Sequence, residues 1–215
     1  MEKSIILMAA GTGERMNYDI PKQFIEINGL PILAHTYNVF KEIKNISIYI
    51  VLPMIGFEKW SQYMSKFIDK GTKLIKGGEH RNKSVRNGIN AIPSRKGFIG
   101  IHDGVRPFLS ADLVNNLFNE AESHGNAIPY TNTINSMRKI DGNNNFSVDR
   151  TQYVQIQTPQ IFKINVLRES LNKIKENNYT DEASLIERLE IKINLVKGEE
   201  ENIKITTEGD LNYFN

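Results

Sequence analysis

A glycine-rich stretch near the start of the chain is followed closely by two cationic side chains. It reads Ala9-Ala10-Gly11-Thr12-Gly13-Glu14-Arg15-Met16, then Pro21-Lys22-Gln23. Glycines let backbone N–H groups come close to phosphate oxygens, and Arg15 and Lys22 can add charge-assisted hydrogen bonds. The stretch reads as a cradle for a triphosphate. It is not a P-loop, because the Gly-Lys-Ser/Thr ending is missing, and it is not the dinucleotide fingerprint, because the third glycine is absent. A bare Gly-x-Gly also suits a tight strand-to-helix turn with Arg15 on a solvated face, so the glycines alone leave both readings open.

Other residue types exclude more than they propose. The chain has no cysteine, which removes disulfides, thiolate metal sites and a thiol nucleophile. No Gly-x-Ser-x-Gly elbow is present, and His35, His80, His102 and His124 lack zinc-site spacing, so they read as core or surface residues. With 27 basic and 25 acidic residues the net charge is +2, which gives no footprint for nucleic acid; any anion site must be local. No apolar run approaches the ~20 residues of a membrane span, and the first strand-like run, at Ser4, leaves no room for a signal peptide before it. The expectation is a cytoplasmic protein with no membrane partner.

The elements that must position these groups follow from periodicity. Ser4-Ile5-Ile6-Leu7-Met8 is a continuous apolar run feeding the glycine loop, as a buried parallel strand would be. Helical spacing at Leu33, Tyr37 and Phe40 comes next, then a strand from Ile46 to Leu52, then Phe57, Trp60, Met64 and Phe67 at steps of three and four. A short strand at Lys73 to Lys76, a Gly77-Gly78 break, a helix started by Ser84 and a strand from Phe98 to His102 continue the alternation. A helix from Ser110 to about His124 follows. This pattern predicts one α/β domain over residues 1–215, a Rossmann-like doubly wound, mostly parallel sheet. Asp103 and Gly11 then fall at carboxyl ends of strands on one edge, where open α/β sheets place ligands. Asp103 also suits a turn cap, and Arg106 a structural partner for it.

Residues 135–148 break the alternation. Asn135 to Ile140, a turn at Asp141 to Asn145 and Phe146-Ser147-Val148 form a hairpin signal with a turn longer than two residues. Few large apolar residues flank it, so it should project as an arm. Helices are expected near Ile164 to Glu176 and Asp181 to Leu189, a strand at Ile191 to Val196, and a short last helix where Thr207 and Asp210 stand at capping-box spacing.

The motifs, in order, are Ala9-Ala10-Gly11-x-Gly13-x-Arg15-Met16, Pro21-Lys22-Gln23-Phe24, Gly77-Gly78-x-x-Arg81-x-x-Ser84-Val85 and His102-Asp103-Gly104-Val105-Arg106-Pro107. They continue with Asp149-Arg150, Gln157-Thr158-Pro159-Gln160, Thr180-Asp181-Glu182-Ala183 and Asn202-Ile203-Lys204-Ile205-Thr206. Across nearly the whole chain this ordered set resembles the 2-C-methyl-D-erythritol 4-phosphate cytidylyltransferases of the non-mevalonate isoprenoid pathway. The resemblance implies a transfer from CTP to a small polyol phosphate with release of pyrophosphate and with a divalent cation, Mg²⁺, as cofactor. It assigns Arg15, Lys22 and Lys204 to catalysis, with Lys204 on the α-phosphate. CTP would be bound by Ala9, Ala10, Gly11, Gly13, Gly78, Ser84, Asp103 and Gly104, with Asp103 also at the metal. Arg106, Thr133, Arg150, Thr158 and Thr180 would bind the second substrate, and the arm at about 132–152 would join a homodimer and complete the neighbouring pocket.

Simpler roles stand beside two of these: Thr180 suits an N-cap, and Arg150 a surface charge on an extended arm. There are also departures. Asn132-Thr133-Ile134-Asn135 lacks the acid and base common in the family, Gly104 stands where many members have Ala, and Tyr130 and Thr131 replace commoner aliphatic or arginine residues. The rival readings are a ribitol 5-phosphate cytidylyltransferase, which shares the CTP motifs, and a nucleotide-binding module without turnover. Thr180 to Ser184 and Asp149-Arg150 favour the methylerythritol enzyme over the first, and the retained Arg15, Lys22, Asp103 and Lys204 oppose the second.

Overall fold

A computed structural model of the chain describes residues 2–11, 20–174 and 179–214. The strand β1 (Lys3–Met8) lies between β4 (Ile46–Leu52) and β6 (Phe98–Asp103), parallel to both, and β5 (Lys73–Lys76) extends the sheet beyond β4. The strands β2 (Glu26–Ile27) and β3 (Leu30–Pro31) form a separate small ribbon. Beyond β6 come β11 (Gln160–Lys163), antiparallel to it, then β7 (Asn126–Asn132), with β10 (Val154–Ile156) and β12 (Leu195–Lys197) also paired to β7. The doubly wound, mostly parallel design is thus present, with antiparallel strands added on one side.

Alternate side chains of the central strands serve two cores. Ile5, Leu7, Ile50 and Leu52 pack with α1 (Ile32–Lys41), α2 (Phe57–Met64) and α4 (Ala111–His124) through Tyr37, Phe40, Trp60, Met64, Leu117 and Phe118. Ile6, Tyr49, Val51, Ile99 and Ile101 face the other way, onto α3 (Arg81–Asn90), α5 (Ile164–Lys173) and α6 (Glu182–Glu187). Burial on both faces is what a continuous apolar strand requires.

Several boundaries differ from the sequence expectation. Ser84 does not start α3; the helix begins at Arg81, capped by His80 with no side-chain bond, and Ser84 lies in its second turn. Thr180 is not the cap of α6. Asp181 is, accepting from Ser184 N at 2.9 Å in a capping box. The arm is β8 (Met137–Asp141) paired with β9 (Asn144–Val148), and its turn is two residues, Gly142-Asn143, shorter than expected. Gly142 at φ +57° makes that tight turn possible. The last expected helix is a 3₁₀ helix, Glu208–Phe214, and the Asp210 carboxylate accepts from the N–H groups of Thr206 and Thr207.

Chain order β1, β4, β5 runs outward on one side of the sheet, and β6 then returns to the other side of β1. The switch point lies between β1 and β6, where Met8 and Asp103 stand in register. Strand order reverses there, and open α/β sheets place their ligands at such a point.

Candidate active site

At that switch point lies a cleft of about 460 Å³ lined by Ala9, Ala10, Gly11, Lys22, Gly78, Ser84, Asp103 and Lys204 from the sequence-predicted set. Gln23, Glu79, His80, Arg81 and Val105 line it as well, beyond that set. Gly13 and Arg15 lie outside the described residues.

The glycine loop is tied at its near end by Gln23, which is buried and donates through Nε2 to the carbonyls of Ala9 at 2.6 Å and Gly11 at 2.8 Å. Both carbonyls thereby have a partner without a further strand. The loop after β5 is fixed by α3. The Ser84 hydroxyl accepts from Gly78 N at 2.9 Å and donates to His80 O at 3.1 Å, while Asn87 Nδ2 donates to Lys76 O at 3.0 Å. The hydroxyl of Ser84 thus shapes the cleft wall from within a helix.

Gly77 is required here by space. A Cβ on it would stand 2.8 Å from Leu52 O and 2.9 Å from Ala10 Cβ, and neither neighbour is a flexible chain end. Gly77→Ala is expected to destabilise the protein by about 1–3 kcal/mol, read as a lower urea midpoint at unchanged slope. Gly104 is similarly tight: a Cβ there would stand 3.0 Å from Met8 O and 2.9 Å from Leu33 Cδ1. An alanine at this position would need Leu33 to shift.

Asp103 ends β6 with two cations on one oxygen. Lys204 Nζ is 3.0 Å and Arg106 Nε 3.1 Å from Oδ2. Burial alone would raise this carboxyl, but the charges of Lys204 and Arg106 outweigh it and hold the group well below the usual carboxylate range. It is an anion at any working pH. Lys204 comes from residues 198–206, which have no regular structure and are held by side chains instead. Gln157 Nε2 donates to Glu199 O at 2.6 Å, Asn202 Nδ2 to Thr158 O at 2.8 Å, Arg106 Nη1 to Asn202 O at 2.8 Å and Lys22 Nζ to Ile205 O at 2.8 Å.

Behind Asp103 sits a closed network. The His102 ring is fully buried, with Nε2 3.1 Å from Arg106 O and Nδ1 3.0 Å from Thr158 Oγ1. A carbonyl can only accept, so Nε2 carries the proton and the Thr158 hydroxyl donates to bare Nδ1. Its remaining lone pair accepts Asp103 N–H at 3.1 Å. Thr158, assigned to the second substrate by resemblance, therefore uses its hydroxyl to hold the end of β6.

Burial pushes the His102 imidazole down to about 4. The unfolded chain binds a proton there near 6.5, the folded chain only near 4, so this contribution is complete above about 6.5 and lost as pH falls toward 4. The loss is on the order of 3 kcal/mol. Urea midpoints taken from about pH 7 down to about pH 4.5 should fall, and a His102→Gln variant should lose much of that slope.

The remaining expected residues lie apart from the cleft lining. Thr133 Oγ1 donates to Tyr153 O at 3.4 Å, and exposed Arg150 donates through Nη1 to Ile134 O, both at the base of the arm. Thr180 is exposed just before α6. The signal that was missed is the pair Arg81–Glu182, in which both oxygens of a wholly buried carboxylate meet one guanidinium. Each residue stands within a quoted motif, but 101 positions separate them.

Comparison with known proteins gives one answer. A profile of the 2-C-methyl-D-erythritol 4-phosphate cytidylyltransferase family matches residues 4–214. The enzyme of that name from Bacteroides thetaiotaomicron is 36% identical over 213 residues, covering 98% of this chain and 97% of its own. The one from Porphyromonas gingivalis is 37% identical over 208 residues, covering 96% and 93%. The crystal structure of 4-diphosphocytidyl-2C-methyl-D-erythritol synthase from Anaerococcus prevotii superposes with a TM-score of 0.85 at 29% identity, over 100% of this chain and 94% of that one.

Proposed function

The chain belongs to the 2-C-methyl-D-erythritol 4-phosphate cytidylyltransferase family, and from that premise we propose that the cleft between β1 and β6 is where CTP and the polyol phosphate react. Its activity is cytidylyl transfer in the non-mevalonate route to isoprenoid precursors. A phosphate oxygen of 2-C-methyl-D-erythritol 4-phosphate attacks the α-phosphorus of CTP, a new P–O bond forms, and the bond to pyrophosphate breaks in line. The second pKa of a phosphate monoester is about 6, so the nucleophile is already largely dianionic at neutral pH and needs no strong base. The task is to bring two anions together and to stabilise charge on the transferring group.

The observation that carries this reading is the convergence of Lys22 and Lys204 on one cleft, with Lys204 held at 3.0 Å from Asp103 and Lys22 bonded to the next residue's carbonyl. Lys204 would contact the α-phosphate and Lys22 would hold its segment and meet the phosphates. Ala9, Ala10, Gly11 and the Gly78–Ser84 turn would seat the nucleotide, with Gly13 and Arg15 completing the cradle. Arg106 would meet the second substrate, Thr180 and Thr158 bordering it.

Asp103 suits a divalent cation, since it is ionised and lines the cleft. Among the described residues no three His, Cys, Asp or Glu cluster into a metal site. A cation held by one carboxylate and completed by phosphate oxygens and water is the way Mg²⁺ binds with a nucleotide. When bound it would neutralise phosphate charge and act as a Lewis acid.

The proposal extends to assembly. On the arm, Ile140 is 78% and Phe146 55% exposed, on opposite faces of the hairpin, and a second copy of the chain wrapped around the arm would cover both. Thr133 and Arg150 at the arm's base would then serve the partner's pocket. A sedimentation mass distinguishes one chain from two.

The test of the reaction is pyrophosphate release from CTP with Mg²⁺, comparing 2-C-methyl-D-erythritol 4-phosphate with ribitol 5-phosphate. Release with the first and little with the second is expected. Release with ribitol 5-phosphate alone, or with neither, overturns the assignment.

A further inference from the structure

Glu182 opens α6 with its side chain wholly buried, and both oxygens are taken by one partner. Arg81 Nη1 donates to Oε1 at 2.6 Å and Nη2 to Oε2 at 2.8 Å. Two parallel bonds of this kind fix the plane of a guanidinium as well as its place. Arg81 is the first residue of α3, where a cation faces the positive end of the helix, and the first turn of α3 holds no acidic residue. Glu182 supplies the missing negative charge and keeps Arg81 on the wall of the nucleotide cleft.

The same turn of α6 is anchored on its other side. Gln160 Nε2 donates to Asp181 Oδ2 at 2.7 Å, and Gln160 Oε1 accepts from Ala183 N at 3.0 Å. Gln160 stands two residues after Thr158, whose hydroxyl holds the end of β6, and Thr180 stands two residues before Glu182. One helical turn is therefore tied to the loop at residues 77–81, to the strand beside Asp103 and to the segment bearing Thr180.

Resting on the reaction proposed above, we infer that Glu182 is a positioning residue: through Arg81 it sets the nucleotide wall, and through its own turn it couples that wall to the second substrate's subsite. The two substrates then bind cooperatively, each ordering the turn the other needs. Coupling of this kind is reciprocal and typically worth about 5- to 150-fold in affinity.

Glu182→Gln keeps the shape while removing the charge and one acceptor. Calorimetric titration of the purified chain with the non-reacting nucleotide α,β-methylene-CTP should give a dissociation constant about tenfold or more higher than in the wild type. In the wild type this analogue should tighten binding of 2-C-methyl-D-erythritol 4-phosphate by about fivefold or more, and in the variant that factor should fall toward one. Turnover should show KM rising more than kcat falls. Arg81→Gln should have an effect of similar size, and the double variant should be no worse than either single one. If the single variants fail to fold, the double variant, which replaces both charges with amides, carries the same expectation.

Unchanged affinity and unchanged coupling in a folded Glu182→Gln protein would reduce the pair to a fold contact and overturn the inference. A wild-type chain that binds and turns over both substrates beside such a variant leaves the proposed reaction intact. A wild-type chain that binds neither overturns both.

Discussion

Replacing Lys204 with alanine is expected to slow pyrophosphate release from CTP by about 10²- to 10⁴-fold while leaving the chain folded. The reaction forces a dianion against a triphosphate, and charge moves onto the α-phosphoryl oxygens and the leaving group as it proceeds. An ammonium placed beside that phosphorus strengthens its contact as the charge develops, so its loss should appear mainly in kcat. Folding should be spared because the Lys204 side chain is 39% exposed and Asp103 keeps Arg106 at 3.1 Å. No buried charge is left alone. Lys22→Ala should be comparably slow for a mixed reason, since Lys22 also bonds to Ile205 O and its loss removes one of the bonds that hold the segment presenting Lys204. Single-turnover rates for the Lys204 variant decide the matter, and wild-type turnover there would remove Lys204 from the chemistry.

Asp103→Asn is expected to lower the rate by about 10²-fold or more and to move the Mg²⁺ titration to higher concentration. The amide preserves volume and can still accept from Arg106, and the backbone N–H bonded to Thr158 is untouched. What disappears is the anion that lets Lys204 and Arg106 stand together and that suits a divalent cation. Their mutual repulsion would then displace Lys204 from its station. Mn²⁺ binding followed by electron spin resonance in the presence of CTP gives a readout besides rate. An unaltered metal titration would separate Asp103 from the cation and leave it only as a partner to the two bases.

Much of this site could be read from the residues alone, because the strands that carry it bury both faces. Ile5 to Leu7 and Ile46 to Leu52 are apolar runs that admit few alternatives, and their ends fix where Gly11, Gly77 and Asp103 must gather. The strands β7, β10 and β11 gave no such signal. Pro129 interrupts β7, Asn126, Tyr130, Thr131 and Asn132 dilute it, and the other two strands are only three and four residues long. Their place is set by tertiary pairing rather than by local pattern. Ser84 mimics a cap in the sequence because its side chain bonds backbone groups in either role; here it serves Gly78 from the second turn. Thr180 and Asp181 are both good capping residues, and only Asp181 has an oxygen aimed at Ser184 N. The pair Arg81–Glu182 and the link from Thr158 to His102 join positions too distant for any spacing rule to connect.

The segment bearing Lys204 is secured by bonds that span the length of the polypeptide: Lys22 to Ile205 closes 183 positions, and Arg106 to Asn202 closes 96. Loops of that size close at high entropic cost and contribute to slow folding. During synthesis, a nascent chain could assemble its central parallel strands well before it gained a working cleft. A message broken upstream of codon 202 would yield a product that lacks this lysine and stays inert, however well its layers pack.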